Sequence, residues 1–254
     1  RLVHGTGSWI GGGHMVGHCL LIESSDGLVL VDAGFGLADV TCPEERIGRF
    51  YLSLLGPNLE PRQCAIRQVE ALGYQRADVR HIVLTHMDFD HAGGIGDFPD
   101  AKVHVYRREH EAALRPRGLL AFRYRRCQWA HQPDWMLHET DGERFMGFDS
   151  VQAIVEPEVL LVPLLGHSPG HAAVAVRHGD GWLLHCGDAY FSEQELGEPP
   201  RCPVGLELLQ RQVALDNRAR LDNQARLRRL RRDAGGEVQL FSAHDADEFA
   251  RLAG

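Results

Sequence analysis

The sequence contains no apolar run that approaches the ~20 residues needed to cross a bilayer, so we expect no membrane partner. It is not basic either: 27 lysine and arginine residues stand against 35 aspartate and glutamate residues, which argues against a nucleic-acid partner. No signal-peptide pattern, internal repeat or low-complexity linker is visible. These absences favour a cytoplasmic globular protein.

Zinc-type cysteine spacing is also missing. The six cysteines include no C-x-x-C pair, and in a chain of 254 residues their even number does not imply disulfides. We therefore expect free thiols in a reducing compartment. The apolar content of 44% is ordinary for a globular protein, and the length suits one large α/β domain, for which we take residues 1–254 as the bounds.

A dense cluster of metal-competent side chains follows the apolar run at 81–85, which predicts a buried strand. Four of them lie within six residues: His86, Asp88, Asp90 and His91. A loop that only caps a helix would explain Asp90 but would not need imidazoles, whereas imidazole and carboxylate together suit Zn²⁺, Fe or Mn²⁺. The glycine pair at 93–94 is expected to let the backbone pass close to a bound ion and to allow positive φ.

Further candidate ligands follow three later apolar runs. His167 begins the stretch His-Ser-Pro-Gly-His after one run, Asp188 ends a Gly-Asp pair after the second, and His244 follows Ser-Ala after the third. Because each lies just after a predicted strand, we expect their side chains to meet at one edge of the fold.

This order of motifs resembles the metallo-β-lactamase superfamily, with its H-x-H-x-D-H, G-H-[ST]-P-G-H, G-D and S-x-H elements. The resemblance runs from about residue 14 to the C-terminus. It implies an α/β fold: a four-layer αββα sandwich of two mixed sheets packed face to face, with helices outside.

The resemblance also implies a binuclear metal centre and a role for each motif residue. The first site would use His86, Asp88 and His167, the second Asp90, His91 and His244, with Asp188 bridging and Asp90 or Asp188 moving the catalytic proton. Asp32, at the end of a Val-Asp-Ala-Gly segment, would hydrogen-bond close to the ligand loop without touching metal. His171 would be structural and His185 part of the core.

One position departs from the motif, since Asp88 stands where the family has its second histidine. Two divalent ions are expected, with Zn²⁺ favoured and Fe or Mn²⁺ as alternatives. The oxygen ligand shifts the preference of the first site towards Fe or Mn²⁺. It also resembles the H-x-E-x-D-H variant of the diiron flavodiiron proteins. A third possibility is that Asp88 points away and only the second site fills.

The segment at about 115–150 mixes arginines with aromatic residues and lies where superfamily members carry substrate-shaping insertions. As a lid, it would supply Trp129 as an apolar wall and Arg123 as a grip for an anionic group. Alternatively, it is an ordinary subdomain whose tryptophans pack on the core. N-acyl-homoserine lactonases look nearest among the subfamilies, but their tyrosine three residues after the bridging aspartate corresponds to Phe191, with Tyr190 one place early. We expect Tyr190 and Phe191 to contact substrate.

The remaining pattern predicts strands and helices in alternation. We expect a hairpin over 14–34, a helix over 60–73, strands at 102–106, 159–165, 172–177, 181–186 and 237–241, one long helix over 206–232, and a final helix over 246–252.

The reading that combines these features is a metal-dependent hydrolase. A metal-bound hydroxide would act on a small ester, lactone, thioester or phosphoester. Two alternatives remain: an iron-dependent oxidoreductase on the same fold, and a non-catalytic ligand sensor. The sequence leaves the oligomeric state open, with a homodimer possible.

Overall fold

Two β-sheets lie at the centre of the structure, a computed structural model that describes residues 2–10, 13–116, 118, 120–154 and 156–253. The first sheet has the order β1-β2-β3-β4-β5-β6, the second β13-β12-β11-β10-β9, and β7 and β8 form a separate pair. The strands are β1 (Leu2–Ile10), β2 (Gly13–Ser24), β3 (Gly27–Val31), β4 (Val79–Val83), β5 (Lys102–Tyr106), β6 (Asp134–His138), β7 (Arg144–Phe145), β8 (Phe148–Asp149), β9 (Val151–Ile154), β10 (Val159–Pro163), β11 (Ala172–His178), β12 (Gly181–His185) and β13 (Val238–Phe241).

Helices occupy the connections between the strands. They are α1 (Leu37–Thr41), α2 (Pro43–Arg46), α3 (Arg49–Leu55), α4 (Ala65–Ala71), α5 (Phe89–Ala92), α6 (Arg107–Leu114), α7 (Leu120–Arg123), α8 (Val204–Val213), α9 (Asn217–Asp233) and α10 (Ala246–Ala253). Single 3₁₀ turns lie at Pro61–Gln63, Arg76–Asp78, Gly93–Asp97, Arg126–Trp129 and Glu193–Leu196. No helix in the described part of the chain is long and apolar enough to span a membrane.

The buried apolar side chains form layers that match the predicted sandwich. Leu28 and Leu30 of β3 pack on one side of the first sheet in a cluster with α4 residues such as Val69. Val29 and Val31 face the other way and pack in a cluster with strands of the second sheet. The outer face of the second sheet packs against α9 through residues that include Leu227 and Leu230.

Burial on both faces explains why β3 is an unbroken apolar run. A sheet covered on both sides has no solvent face that would need alternating polar residues. Each fully buried valine or leucine contributes roughly 1.5–3 kcal/mol to this packing. The four-layer αββα fold predicted from the sequence is confirmed.

Strand direction brings the ends of the motif strands to common edges. β3, β4 and β5 are mutually parallel, so their carboxyl ends lie at one edge of the first sheet. In the second sheet β10 and β12 both run antiparallel to β11, and β13 runs parallel to β12. The loops that follow β10, β12 and β13 therefore leave the second sheet at a single edge.

The predicted long helix over 206–232 is wrong, because the structure has two helices there. The helical conformation is interrupted after α8. The Asp216 carboxylate accepts a 3.0 Å hydrogen bond from the Ala219 N–H at the start of α9. At the break the Leu215 N–H donates to the carbonyl of His167 and the Asp216 N–H to that of Gly166. The break thus supports the loop that carries His167.

The segment predicted as a substrate-shaping insertion is only partly separate from the fold. Residues 134–138 of it form β6, the edge strand of the first sheet, and Tyr124 and Trp129 are buried in the cluster that includes β3 and α4. This packing agrees with the alternative that tryptophans of the segment pack on the core. Arg117 and Leu119 lie outside the described residues.

The glycine pair after the ligand loop has a different purpose from the predicted one. Gly93 has φ of −58°, so positive φ is not the reason for glycine there. A Cβ on Gly94 would lie 2.3 Å from the Ala33 carbonyl oxygen, and the Gly94 N–H donates a 2.8 Å hydrogen bond to the Gly34 carbonyl. The pair lets the ligand loop pack directly on the backbone after β3.

We expect Gly94→Ala to lower the free energy of unfolding by about 2 kcal/mol or more, because the backbone of Ala33 cannot move away as a flexible side chain could. Gly96→Ala is the matched control, since its nearest atoms would be 3.6 Å from the new Cβ. Chemical denaturation of both variants tests this. Equal losses of stability in the two variants would contradict the close-approach explanation.

Candidate metal centre

The structure brings together the four side chains predicted for the first site. His86 and Asp88 come from the loop after β4, His167 from the loop after β10, and Asp188 from the loop after β12. Asp88 Oδ2 lies 3.3 Å from His86 Nε2 and 3.1 Å from His167 Nε2. Nitrogen and oxygen atoms at these separations could hold a metal ion.

A second group lies beside the first. Asp90 and His91 come from the same ligand loop, and His244 follows β13. Asp90 Oδ2 is 3.9 Å from His91 Nε2 and 3.8 Å from His244 Nε2. These three side chains could hold another ion.

Asp188 lies between the two groups with one oxygen towards each. Its Oδ2 is 3.2 Å from His167 Nε2 and 3.8 Å from His86 Nε2. Its Oδ1 is 3.2 Å from His91 Nε2 and 3.1 Å from His244 Nε2. This is the arrangement that a bridging carboxylate requires.

Hydrogen bonds outside the site orient three of the four imidazoles so that Nε2 points inwards. Nδ1 of His91 bonds Asp32, Nδ1 of His86 bonds the Thr85 hydroxyl, and Nδ1 of His244 bonds the Val16 carbonyl. A proton held on Nδ1 leaves the Nε2 lone pair free for a metal.

Asp32 joins the ligand loop to the end of β3. Its carboxylate accepts hydrogen bonds of 2.8 Å from the Thr85 N–H, from the Thr85 hydroxyl and from His91 Nδ1. Burial raises the pKa of the Asp32 carboxyl, but the adjacent His91 imidazole more than offsets this, and the pKa is lowered. Asp32 also adopts φ of 54°, a left-handed conformation that costs about 1 kcal/mol or more for a residue other than glycine.

Several polar atoms of the centre have unsatisfied bonding capacity. His86 Nε2, His91 Nε2 and Asp188 Oδ1 are buried, and none has a hydrogen-bond partner within the described part of the chain. Buried polar atoms without partners are costly, at about 1–3 kcal/mol each. A pair of divalent ions would satisfy all three, so the residues present fit such a pair.

The protonation states of the first group suit metal ligands, whereas in the second group Asp188 outweighs burial and raises the pKa of His91 and His244, so that each would release a proton on binding an ion. Burial acts to raise the pKa of both Asp88 and Asp188, but neighbouring positive groups, Arg123 for Asp88 and His244 for Asp188, hold the pKa well below its usual range. Burial and Arg123 lower the pKa of His167 to about 3. The first group therefore offers ionised carboxylates and a neutral His167 at neutral pH.

Two histidines near the centre are structural, as predicted. His171 Nδ1 bonds the Leu164 carbonyl, and its Nε2 accepts a 2.9 Å hydrogen bond from the Asp188 N–H. His185 is buried and bonds the His18 carbonyl through Nε2. His171 thus positions the loop of the bridging carboxylate.

Three of the four predicted substrate-binding residues have other surroundings. The Tyr190 side chain is fully buried and its hydroxyl donates to Glu248, so it does not face the centre. Trp129 is buried in the core. Arg123 donates to Asp88 and to two backbone carbonyls, so its guanidinium is already engaged. Phe191 does lie at the centre, with its ring centroid 4.9 Å from that of His244.

One residue that the sequence does not reveal links the two loops that carry His86, Asp88 and His167. Glu109, fully buried on α6, accepts hydrogen bonds from the Met87 N–H, the Tyr124 hydroxyl, the Ser168 hydroxyl and the Gly170 N–H, at 2.7–3.0 Å. Met87 lies between two first-site residues, and Ser168 follows His167. Nothing in the sequence marks Glu109, because its partners lie 15 to 61 positions away.

The sandwich fold and the paired histidine–aspartate groups define a class of metal-dependent enzyme. A sequence profile of the metallo-beta-lactamase superfamily matches residues 12–232. The chain belongs to that superfamily. The resemblance inferred from the motifs is therefore confirmed.

Individual relatives agree with this assignment. The chain is 45% identical over 233 residues, covering 91% of this chain and 74% of the relative, to the "Probable metallo-hydrolase" of Mycobacterium tuberculosis strain H37Rv. It is 29% identical over 177 residues, 69% of this chain and 64% of the relative, to the N-acyl homoserine lactonase of Bacillus thuringiensis.

A solved structure of similar fold is an N-acyl homoserine lactone hydrolase with the product N-hexanoyl-L-homoserine at its metal centre. It matches with a TM-score of 0.70 and 24% identity, covering 94% of this chain and 85% of the other. At this identity the likeness shows the fold alone. The family match and the mycobacterial relative identify the chain as an enzyme of a metallo-hydrolase family. Its histidine–aspartate groups could hold a metal pair.

We expect Glu109→Gln to destabilise the protein by about 2 kcal/mol or more, because an amide offers one acceptor oxygen and directs an N–H₂ group at donors. Glu111→Gln, an exposed carboxylate on the same helix, is the matched control and should change stability by less than about 0.5 kcal/mol. Thermal unfolding measures both. Equal stability of Glu109→Gln and the parent would rule out the joining role.

Proposed function

We propose that the chain hydrolyses a small carboxylic ester or lactone at a centre of two divalent metal ions. The observation that carries the proposal is the position of Asp188, whose two oxygens face two separate groups of ligands. The proposed ligands are His86, Asp88 and His167 for one ion and Asp90, His91 and His244 for the other, with Asp188 shared between them.

The ions, when bound, would supply Lewis-acid activation of a water molecule and of the scissile carbonyl. The side chains of the protein hold the ligands in position and move the proton. His91 and His244 are held by Asp32 and by the Val16 carbonyl, so their positions are set before substrate binds.

Asp90 is the residue best placed to move the proton. Its side chain is 26% exposed, whereas the other six proposed ligands are at most 12% exposed, so the centre opens to solvent at Asp90. As the water oxygen bonds to the carbonyl carbon, its proton passes to the Asp90 carboxylate. When the carbon–oxygen bond to the leaving group breaks, Asp90 returns the proton to that oxygen.

The surroundings of the centre favour an ester or lactone with an apolar part. Phe191 contributes an apolar ring beside His244 and His167. The N-acyl homoserine lactonase relatives make lactones the first class to test. However, Phe191 lacks the hydroxyl of the lactonase tyrosine, and Tyr190 is engaged with Glu248. The chain therefore cannot use residue 191 to hydrogen-bond a developing oxyanion.

An iron-dependent oxidoreductase is the second candidate, and Asp88 is the observation that favours it. A carboxylate at this position makes the first site richer in oxygen, which suits Fe or Mn²⁺ more than Zn²⁺. Oxygen uptake by the iron-loaded protein with an external electron donor would support this candidate. Hydrolysis at equal rates with and without O₂ would support the hydrolase.

We also propose that residues 1–254 form one domain and that residues 120–129 cover the first site. The two sheets share the buried cluster between them, which supports one domain. Arg123 at the end of α7 reaches Asp88, which supports the cover. The proposed cover is shorter than the predicted insertion at about 115–150, because β6 within that range belongs to the first sheet.

We expect Asp90→Asn to lower kcat by about 100-fold or more on the substrates that the parent hydrolyses, because the amide cannot accept the proton and loses a ligand charge. The assay uses lactones, esters, thioesters and phosphoesters with Zn²⁺, Mn²⁺ or Fe²⁺. Asp100→Asn, an exposed aspartate outside the site, is the control. Unchanged turnover in Asp90→Asn would refute its assignment, and no turnover by the loaded parent on any substrate would favour a sensor.

A further inference from the structure

The first site contains an aspartate where the superfamily motif has a histidine, and the structure shows what accompanies that change. Asp88 is buried, with Oδ2 facing the Nε2 atoms of His86 and His167. A neutral imidazole at this position would add no charge to the site, whereas the carboxylate adds one negative charge. A buried charge is costly unless it is paired.

The partner of that charge is Arg123, 35 positions along the chain. Its Nε donates to Asp88 Oδ1 and its Nη2 donates to Asp88 Oδ2 at 2.6 Å, which is a two-pronged pairing of guanidinium and carboxylate. Its Nη1 donates to the carbonyls of His167 at 3.0 Å and Val213 at 2.7 Å. Both side chains of the pair are only 12% exposed.

We propose that Asp88 and Arg123 act together as a charge-neutral replacement for the second histidine, and that Arg123 thereby limits the affinity of the first metal site for divalent ions. The inference rests on the proposed metal centre. Asp88 Oδ2 is shared between Arg123 and the space between His86 and His167. A bound ion and the guanidinium must therefore compete for the same oxygen, and their positive charges repel each other.

The direction in which metal affinity changes when Arg123 is removed distinguishes this proposal from a merely structural ion pair. If Arg123 only held Asp88 and His167 in place, its removal would loosen the site and weaken metal binding. If Arg123 competes with the ion, its removal leaves a free carboxylate and strengthens metal binding. The proposal also predicts that changes at positions 88 and 123 have non-additive effects on metal affinity, because a histidine at 88 leaves the buried guanidinium without a charged partner.

The test is a divalent-ion titration of the 254-residue chain after removal of metal by a chelator, with Zn²⁺ as the probe and a coloured competitor as the readout. We expect Arg123→Met to bind the ion of the first site at least about tenfold more tightly than the parent. Arg123→Lys keeps the charge and should stay within about threefold of the parent. Arg126→Met, an exposed arginine in the same segment, is the matched control and should leave both affinities unchanged.

The second arm combines both positions. Asp88→His alone should bind the first ion at least about tenfold more weakly than Asp88→His with Arg123→Met, since only the double variant removes the unpaired guanidinium. Far-ultraviolet circular dichroism confirms that each variant is folded, and if Asp88→His does not fold, recovery of folding in the double variant supports the pairing in the same way.

The outcomes are distinct. Weaker or unchanged binding in folded Arg123→Met, or additive effects in the double variant, would overturn the inference and leave the metal centre intact. A parent that binds no divalent ion would instead overturn the proposed metal centre.

Discussion

The carboxylate of Asp32 is the interaction on which the arrangement of the ligands depends. It joins the end of β3 to Thr85 at the end of β4 and to His91 in the ligand loop, in three hydrogen bonds of 2.8 Å. Parallel strands bring their carboxyl ends to one edge but do not fix which way a side chain turns. Asp32 supplies that missing constraint, and its left-handed backbone persists because these partners over-determine it.

Much of the fold and the set of residues that meet could be predicted from the sequence, because both follow from local pattern. Apolar runs bounded by Gly, Asp and Pro predict buried strands, and a polar residue just after such a run must lie at a sheet edge. His86, His167, Asp188 and His244 all follow that rule, so their convergence needed only the correct strand directions. Whether each binds metal is a chemical question that spacing alone does not answer.

The features that could not be predicted all depend on partners distant in sequence. The sequence pattern predicts that Arg123 faces substrate, but its position beside Asp88 is set by tertiary packing across 35 positions. Tyr190 and Phe191 are neighbours with opposite surroundings, since the turn after Asp188 directs one ring to Glu248 and the next to His244. The helical spacing continues across the break between α8 and α9, so the pattern does not predict it. The structure explains the break by the Asp216 cap of α9 and by the contacts of Leu215 and Asp216 with the His167 loop.

The segment after α6 is linked to the first group of ligands at two points. Arg123 bonds Asp88 and the adjacent Tyr124 bonds Glu109, which in turn holds the loops of Met87 and Ser168. A movement of α7 away from the site would break the Asp88 pairing and remove a donor from Glu109 at the same time. Because each loss leaves a buried carboxylate less well paired, such a movement is costly. On the proposed competition between the ion and Arg123, a bound ion would take over part of the Asp88 charge and lower that cost.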